Sequence, residues 1–310
     1  MELLKLLESI RGDALTFINL IFSKLGEELI IFAVLCLIYW CIDKRLGYRI
    51  AFSYLVSGFI VNSLKIIIKV PRPFIKDTSF TPVEKALEHA TGYSFPSGHT
   101  QSATSVYGTI SMYLGKRSIL LGILFFIPIL AVGFSRMYLG VHTPWDVMAG
   151  FAIGLLVTIL ISYLFDNYWL DPTHYRIILV VVTIAGFALM LLGAYEMAYE
   201  NVAPVNGLDC FKIGSAMLGF IFGWYIEITQ VKFVERGISV KGQIIKYICG
   251  MIGVALCYKG TEFVLLLFMS ENNLIANVIP YFLTTFWVTG IYPVIIKKVF
   301  TSPFNYRTHS

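Results

Sequence analysis

Three uncharged, strongly apolar stretches, residues 147–165, 177–195 and 274–296, are each long enough to cross the ~30 Å hydrocarbon layer of a bilayer. A soluble core has no use for runs of this length. The rest of the 310 residues agree: 57% are hydrophobic and 14% charged, where a soluble domain carries about 25% charged residues. Aromatics reach 15%, which suits a lipid-facing surface with interfacial anchors. The expected fold is all-α, a polytopic membrane helical bundle.

Candidate spans fall at about 29–42, 48–68, 100–114, 119–134, 147–165, 177–195, 213–230, 244–268 and 274–296, about nine transmembrane helices in all. The first is short and needs local thinning or snorkelling flanks. Ahead of it, Leu3, Leu4, Leu6, Leu7, Phe17, Ile18, Ile21, Phe22 and Leu25 recur at near-helical spacing. This predicts an N-terminal amphipathic segment over 1–27 that lies in the interface, with Asp13 as a helix cap. Residues 28–170 then hold all the polar motifs discussed below, and 171–310 form a C-terminal transmembrane extension. Five cysteines without metal-type spacing predict neither a disulfide framework nor a zinc site. No cleavable signal peptide is expected.

The net charge of +5 is accounted for by loop Lys and Arg in a membrane protein and gives no nucleic-acid reading. Placing alternate loops on opposite sides splits the 24 basic residues 13 to 11, and the richer side is assigned to the cytoplasm. On the poorer side the charge is concentrated. Lys65, Lys69, Arg72, Lys76 and Lys85 flank one loop, and Arg136 sits at another.

Those loops carry three short polar motifs, all on the same side. The first runs from Lys65 to Arg72 and Pro73, the second is Pro96-Ser97-Gly98-His99, and the third joins Ser135-Arg136 to His142 and Asp146. If its helix persists to Pro71, Lys65 and Arg72 share a face. Together the motifs supply what attack on a phosphate monoester or pyrophosphate needs. Lys65, Arg72 and Arg136 are cations for an anionic transition state. Ser97 and Gly98 stand where a helix begins, and so form a backbone anion cradle. Of the two histidines, His142 is the better nucleophile, because Asp146 four residues on can orient its ring. His99 is left as the general acid.

The ordered set Lys-x6-Arg-Pro, Pro-Ser-Gly-His and Ser-Arg-x5-His-x3-Asp resembles the type 2 phosphatidic acid phosphatase superfamily, over about residues 45–165. The resemblance implies a phosphatase that needs no metal or other cofactor and works through a phosphohistidine on His142. It further implies a lipid phosphate or lipid pyrophosphate as substrate, membrane lipids as surroundings, and a site on the extracytoplasmic face. Nine spans also resemble the glucose-6-phosphatase and sphingosine-phosphate phosphatase branches. A lipid phosphotransferase using the same intermediate, or an anion or lipid transporter, are the competing readings.

Several residues have a structural explanation. Lys69 matches no motif position and is expected to snorkel. Thr143, Pro144 and Asp146 form a good helix start, so Asp146 is expected to cap a helix as well as to orient His142. His89 reads as a loop residue, and His174 and His309 fall on the opposite side. Lys259 and Glu262, three apart, are expected to pair, and Glu227 falls within or near an apolar segment, where an ionisable side chain usually faces the bundle interior or water.

Overall fold

The computed structural model describes residues 1–168, 171–199, 205–270 and 273–300, so Arg307 and His309 lie outside the described residues. Among the described residues the chain is helical and has no strand. In chain order the helices are α1 (Glu2–Ser9), α2 (Asp13–Lys24), α3 (Glu28–Leu37), α4 (Lys44–Ile68), α5 (Pro73–Lys76), α6 (Gly98–Gly115), α7 (Ile119–Tyr138), α8 (Pro144–Tyr168), α9 (Thr173–Tyr199), α10 (Val205–Ile226), α11 (Val240–Ala255), α12 (Thr261–Leu266), α13 (Leu274–Phe286) and α14 (Tyr292–Ile295).

Seven helices or helix runs are long and apolar enough to cross a membrane, and α2 with α3, bent by 51°, makes an eighth if the pair is one span. The ninth expected span corresponds to α6. Its 18 residues reach about 27 Å at 1.5 Å per residue, but they are rich in Gly, Ser and Thr, and Thr100 to Ile110 are all buried. α6 is therefore polar because its neighbours are protein. Gln101 Nε2 donates to Ser57 Oγ at 2.6 Å, Ser57 and Ser105 hydroxyls meet at 2.7 Å, and Thr104 and Thr109 hydroxyls bond back to their own helix. Small hydroxyl residues of this kind let helices approach closely without lipid between them.

The chain divides into two compact units. The first comprises residues 1–32, 49–166 and 196–207. In it α7 packs along α6, and α2 lies against α7 with Asn19 and Ser23 buried. The amphipathic N-terminal segment thus packs part of its length on protein, while Leu3, Leu6, Phe17, Ile18 and Ile21 stay exposed. Asp13 does not cap α2: Gly12 occupies the cap position and Asp13 is the first helical residue, where an acid still suits the helix dipole.

The second unit comprises residues 33–48, 167–195 and the described residues from 208 on. Its helices are interrupted by π turns at Ile38–Ile42, Glu227–Val231, Leu256–Gly260, Trp287–Ile291 and Ile296–Phe300. Glu227 starts one of them and is fully buried, with Lys44 Nζ at 2.9 Å, the Phe233 N–H at 3.0 Å and the Tyr48 hydroxyl also donating to it. Three donors satisfy the buried carboxylate, so its role here is structural. Lys259 and Glu262 pair at 2.6 Å, as their spacing predicts.

Candidate active site

The three motifs come together in the first unit, and backbone hydrogen bonds tie them to one another. The Ser94 N–H donates to Val70 O at 2.8 Å, and the Ser97 N–H donates to Asp146 O at 2.9 Å. The first bond links the end of motif one to the loop before motif two, and the second links motif two to motif three.

Motif one is not a continuous helix. α4 stops at Ile68, and Lys69 takes a left-handed conformation with φ +54°. Pro71 and Pro73 explain the stop, since a proline offers no N–H and pushes the residue before it to extended backbone. Lys65 and Arg72 therefore do not share a helical face. Lys65 remains on the last turn of α4, its Nζ 3.7 Å from where a Cβ on Gly98 would stand, while Arg72 enters from the break. Lys69 pairs with Glu196 at 3.2 Å instead of simply snorkelling.

Arg72 is buried and held by three carbonyls: Nε donates to Gly92 O at 3.1 Å, Nη2 to Thr91 O at 2.7 Å and Nη1 to Val141 O at 3.0 Å. Nη1 also lies 2.8 Å from His142 Nε2. Guanidinium has no acceptor, so His142 Nε2 must be the acceptor and carry the lone pair. Its proton is then on Nδ1, which faces Asp146 Oδ2 at 3.6 Å and the Ser94 hydroxyl at 3.4 Å. Burial and the adjacent Arg72 charge hold the His142 pKa well below 6.5, against an opposing pull from Asp146.

Asp146 holds a full capping box at the start of α8. Its Oδ2 accepts the Thr143 N–H at 2.7 Å, and the Asp146 N–H is 3.3 Å from Thr143 Oγ1. The Ser94 hydroxyl donates to the same Oδ2 at 2.6 Å. Helix termination places His142. Gly140, at φ +81°, ends α7 after Tyr138, and a Cβ there would stand 2.7 Å from Phe80 Cζ and 2.8 Å from Arg11 Nη2. Only glycine fits both the conformation and the space.

Ser97 is the N-cap of α6, its Oγ accepting from the Thr100 N–H at 3.4 Å and the Thr100 hydroxyl at 3.0 Å. Gly98 is the first residue of that helix and His99 the second. His99 Nε2 is buried and makes no hydrogen bond, and Arg136, His142, Lys65 and Arg72 all act on its ring electrostatically. Arg136, on the last turn of α7, is buried and donates from Nη1 to Ser23 Oγ at 2.7 Å. All eight residues singled out by the motifs are thus in one neighbourhood of the first unit. No cluster of metal-ligating side chains is found among the described residues.

The PAP2 superfamily matches residues 46–170, the segment that carries all three motifs. The chain belongs to the PAP2 superfamily. A second description, PAP2 superfamily phosphatase, transmembrane extension, matches residues 211–303. The family likeness therefore continues into the C-terminal half, beyond the limit that the motifs alone set at about residue 165. Three similar proteins carry names of different activities. Bacitracin transport permease protein BcrC of Bacillus licheniformis is 26% identical over 62% of this chain and 86% of its own. Undecaprenyl-diphosphatase of Sulfolobus acidocaldarius is 29% identical over 51% of this chain and 75% of its own. Sphingosine-1-phosphate phosphatase 1 of Mus musculus is 28% identical over 74% of this chain, which spans 56% of that relative.

In this PAP2 site two hydroxyls escape sequence reasoning. Ser94 and Ser23 bind Asp146 and Arg136 respectively, yet each is a lone serine outside the motifs. Nothing in its spacing marks it. Glu196, Asn206 and Tyr93, which stand behind the Arg72 loop, are invisible for the same reason.

Proposed function

We propose that this PAP2 protein is a membrane phosphatase that hydrolyses a lipid phosphate or lipid pyrophosphate through a phosphohistidine on His142. The observation that carries the reading is the Arg72 Nη1 contact on His142 Nε2, because it fixes the lone pair on the nitrogen beside the phosphate-binding arginine. The names of two of the three relatives point the same way, to a diphosphatase and a monoester phosphatase of lipids.

In the proposed reaction, His142 Nε2 attacks phosphorus and the bond to the leaving oxygen breaks. His99 gives its ring proton to that oxygen, releasing a lipid alcohol from a monoester or a lipid monophosphate from a pyrophosphate. Asp146 accepts the Nδ1 proton's hydrogen bond and stabilises the cationic phosphoimidazole. Water, deprotonated by His99, then attacks the same phosphorus, inorganic phosphate leaves and both histidines return to their starting states. Lys65, Arg72 and Arg136 hold the equatorial oxygens, with the α6 N-terminus at Gly98. The Ser97 oxygen is committed as an acceptor to its cap, so toward an anion Ser97 acts as a donor. On the reading of Lys and Arg placement, the site opens on the extracytoplasmic face, where the charges of motif one would otherwise oppose the orientation rule.

Purified protein in mixed micelles, assayed with EDTA on phosphatidic acid, sphingosine 1-phosphate and a polyprenyl pyrophosphate, tests the reading. At least one should release inorganic phosphate, and His142→Ala should abolish that release. Equal turnover by His142→Ala would overturn the mechanism, and phosphorylated lipid in place of free phosphate would indicate a transferase. A transport role predicts equal lipid flux in wild type and His142→Ala.

A further inference from the structure

A polar cluster that the mechanism does not use backs directly onto the segment that holds Arg72. Residues 91–94 face the site on one side: Thr91 and Gly92 give their carbonyls to the guanidinium, and Ser94 gives its hydroxyl to Asp146. Tyr93 lies between them and turns to other partners. Its N–H donates to Asn206 Oδ1 at 2.9 Å, and its hydroxyl donates to Glu196 Oε1 at 3.2 Å. Both partners are buried, Glu196 at 4% and Asn206 at 6% exposure.

Two features show that this contact is built rather than incidental. Gly92 is in the left-handed region at φ +64°, and a Cβ there would come within 2.2 Å of Asn206 Oδ1, so the segment and Asn206 are packed at the closest approach a glycine allows. Lys69, also left-handed, pairs with Glu196 Oε2 at 3.2 Å, so the same carboxylate holds the strained residue that ends α4 just before Arg72. A non-glycine residue in that conformation persists only where its surroundings impose it. Glu196 therefore grips the chain on both sides of Arg72: Lys69, three residues before it, and Tyr93, inside the segment whose carbonyls receive it.

We propose that Glu196 and Asn206 are positioning residues for the phosphate-binding Arg72, acting through Tyr93 and Lys69. Neither lies in a matched region of the family, since one region ends at residue 170 and the other begins at 211. The proposal rests on the phosphatase reading. It adds that the accuracy of the phosphate site depends on the end of α9 and the start of α10. Loss of either residue relaxes the 91–94 segment, and the Arg72 guanidinium loses the fixed carbonyls that aim Nη1 at His142. Arg72 meets the phosphate in both ground and transition states, so anion affinity should fall together with kcat/KM.

The test is competitive inhibition by orthovanadate, a tetrahedral phosphate analogue that becomes five-coordinate when a nucleophile binds it, measured alongside kcat and KM in Asn206→Leu, Asn206→Asp, Glu196→Gln and Tyr93→Phe. Asn206→Leu should raise the inhibition constant and lower kcat/KM by roughly 10- to 100-fold, while Asn206→Asp, which keeps an acceptor for the Tyr93 N–H, should stay within about twofold of wild type. Glu196→Gln loses the Lys69 charge pair and Tyr93→Phe the hydroxyl bond, and both should weaken orthovanadate with unfolding temperatures close to wild type. These two keep the test intact should Asn206→Leu not fold. Wild-type inhibition constants in Glu196→Gln and Tyr93→Phe, or equal losses in Asn206→Asp and Asn206→Leu, would overturn the positioning role. A wild-type protein that releases no phosphate would instead overturn the phosphatase reading itself.

Discussion

In the proposed mechanism His142 is prepared as the nucleophile by two neighbours of opposite charge on its two ring nitrogens. Arg72, which can only donate, forces the lone pair onto Nε2, and Asp146 faces the proton on Nδ1. The same arrangement dictates a pH dependence. Burial and Arg72 lower the His142 pKa, so the ring stays neutral on acidification past the ordinary imidazole value of 6.5, and loss of the nucleophile by protonation is postponed to lower pH. The acid limb of kcat/KM should accordingly lie below pH 6.5. An acid limb above that value would show that the histidine is not held neutral, and the pairing with Arg72 would be wrong. Asp77, in the exposed loop after α5, is held down to about 2 chiefly by its bond with Lys5 and also by Ser79. It stays charged across any practical assay range and adds no limb of its own.

At the scale of elements, the site is a set of helix ends. α4 ends at a double-proline break, α6 begins at Ser97, α7 ends at Gly140 and α8 begins with a capping box. Each boundary supplies one to three of the residues proposed for the site. The starts were legible in the sequence because caps are local: Ser97 before Gly98, and Thr143, Pro144 and Asp146 in order, carry their own signature. The break in α4 was legible only as two prolines, and whether Lys65 and Arg72 shared a face could not follow from spacing once the helix stopped at Ile68. α6 reads poorly as a membrane span because its hydroxyls are satisfied by neighbouring helices, which no single-helix pattern reveals. Gly140→Val tests how much the α7 end matters. The left-handed conformation costs a β-branched residue about 1–2 kcal/mol, and its side chain must displace Phe80 or Arg11. Activity should drop at least about tenfold and the unfolding temperature in detergent should fall, whereas unchanged values in both would mean the turn does not place His142.

For the molecule as a whole, membrane orientation decides which lipids the site meets. Single cysteines in a background with the five native ones replaced report it directly. Thr78, in the loop after α5, and Arg117, between α6 and α7, are both exposed. A membrane-impermeant maleimide added to intact cells should label Thr78→Cys and not Arg117→Cys, and the reverse pattern would put the site on the cytoplasmic face. Whichever face it is, in the proposed mechanism the phosphoryl group rests on one nitrogen of this chain during turnover. Brief reaction with a lipid substrate labelled in its phosphate, an alkaline quench and peptide mapping measure that. An acid-labile, alkali-stable label is expected on the peptide containing His142 and none in His142→Ala. Full turnover with no such label, or a label on any other residue, would contradict it.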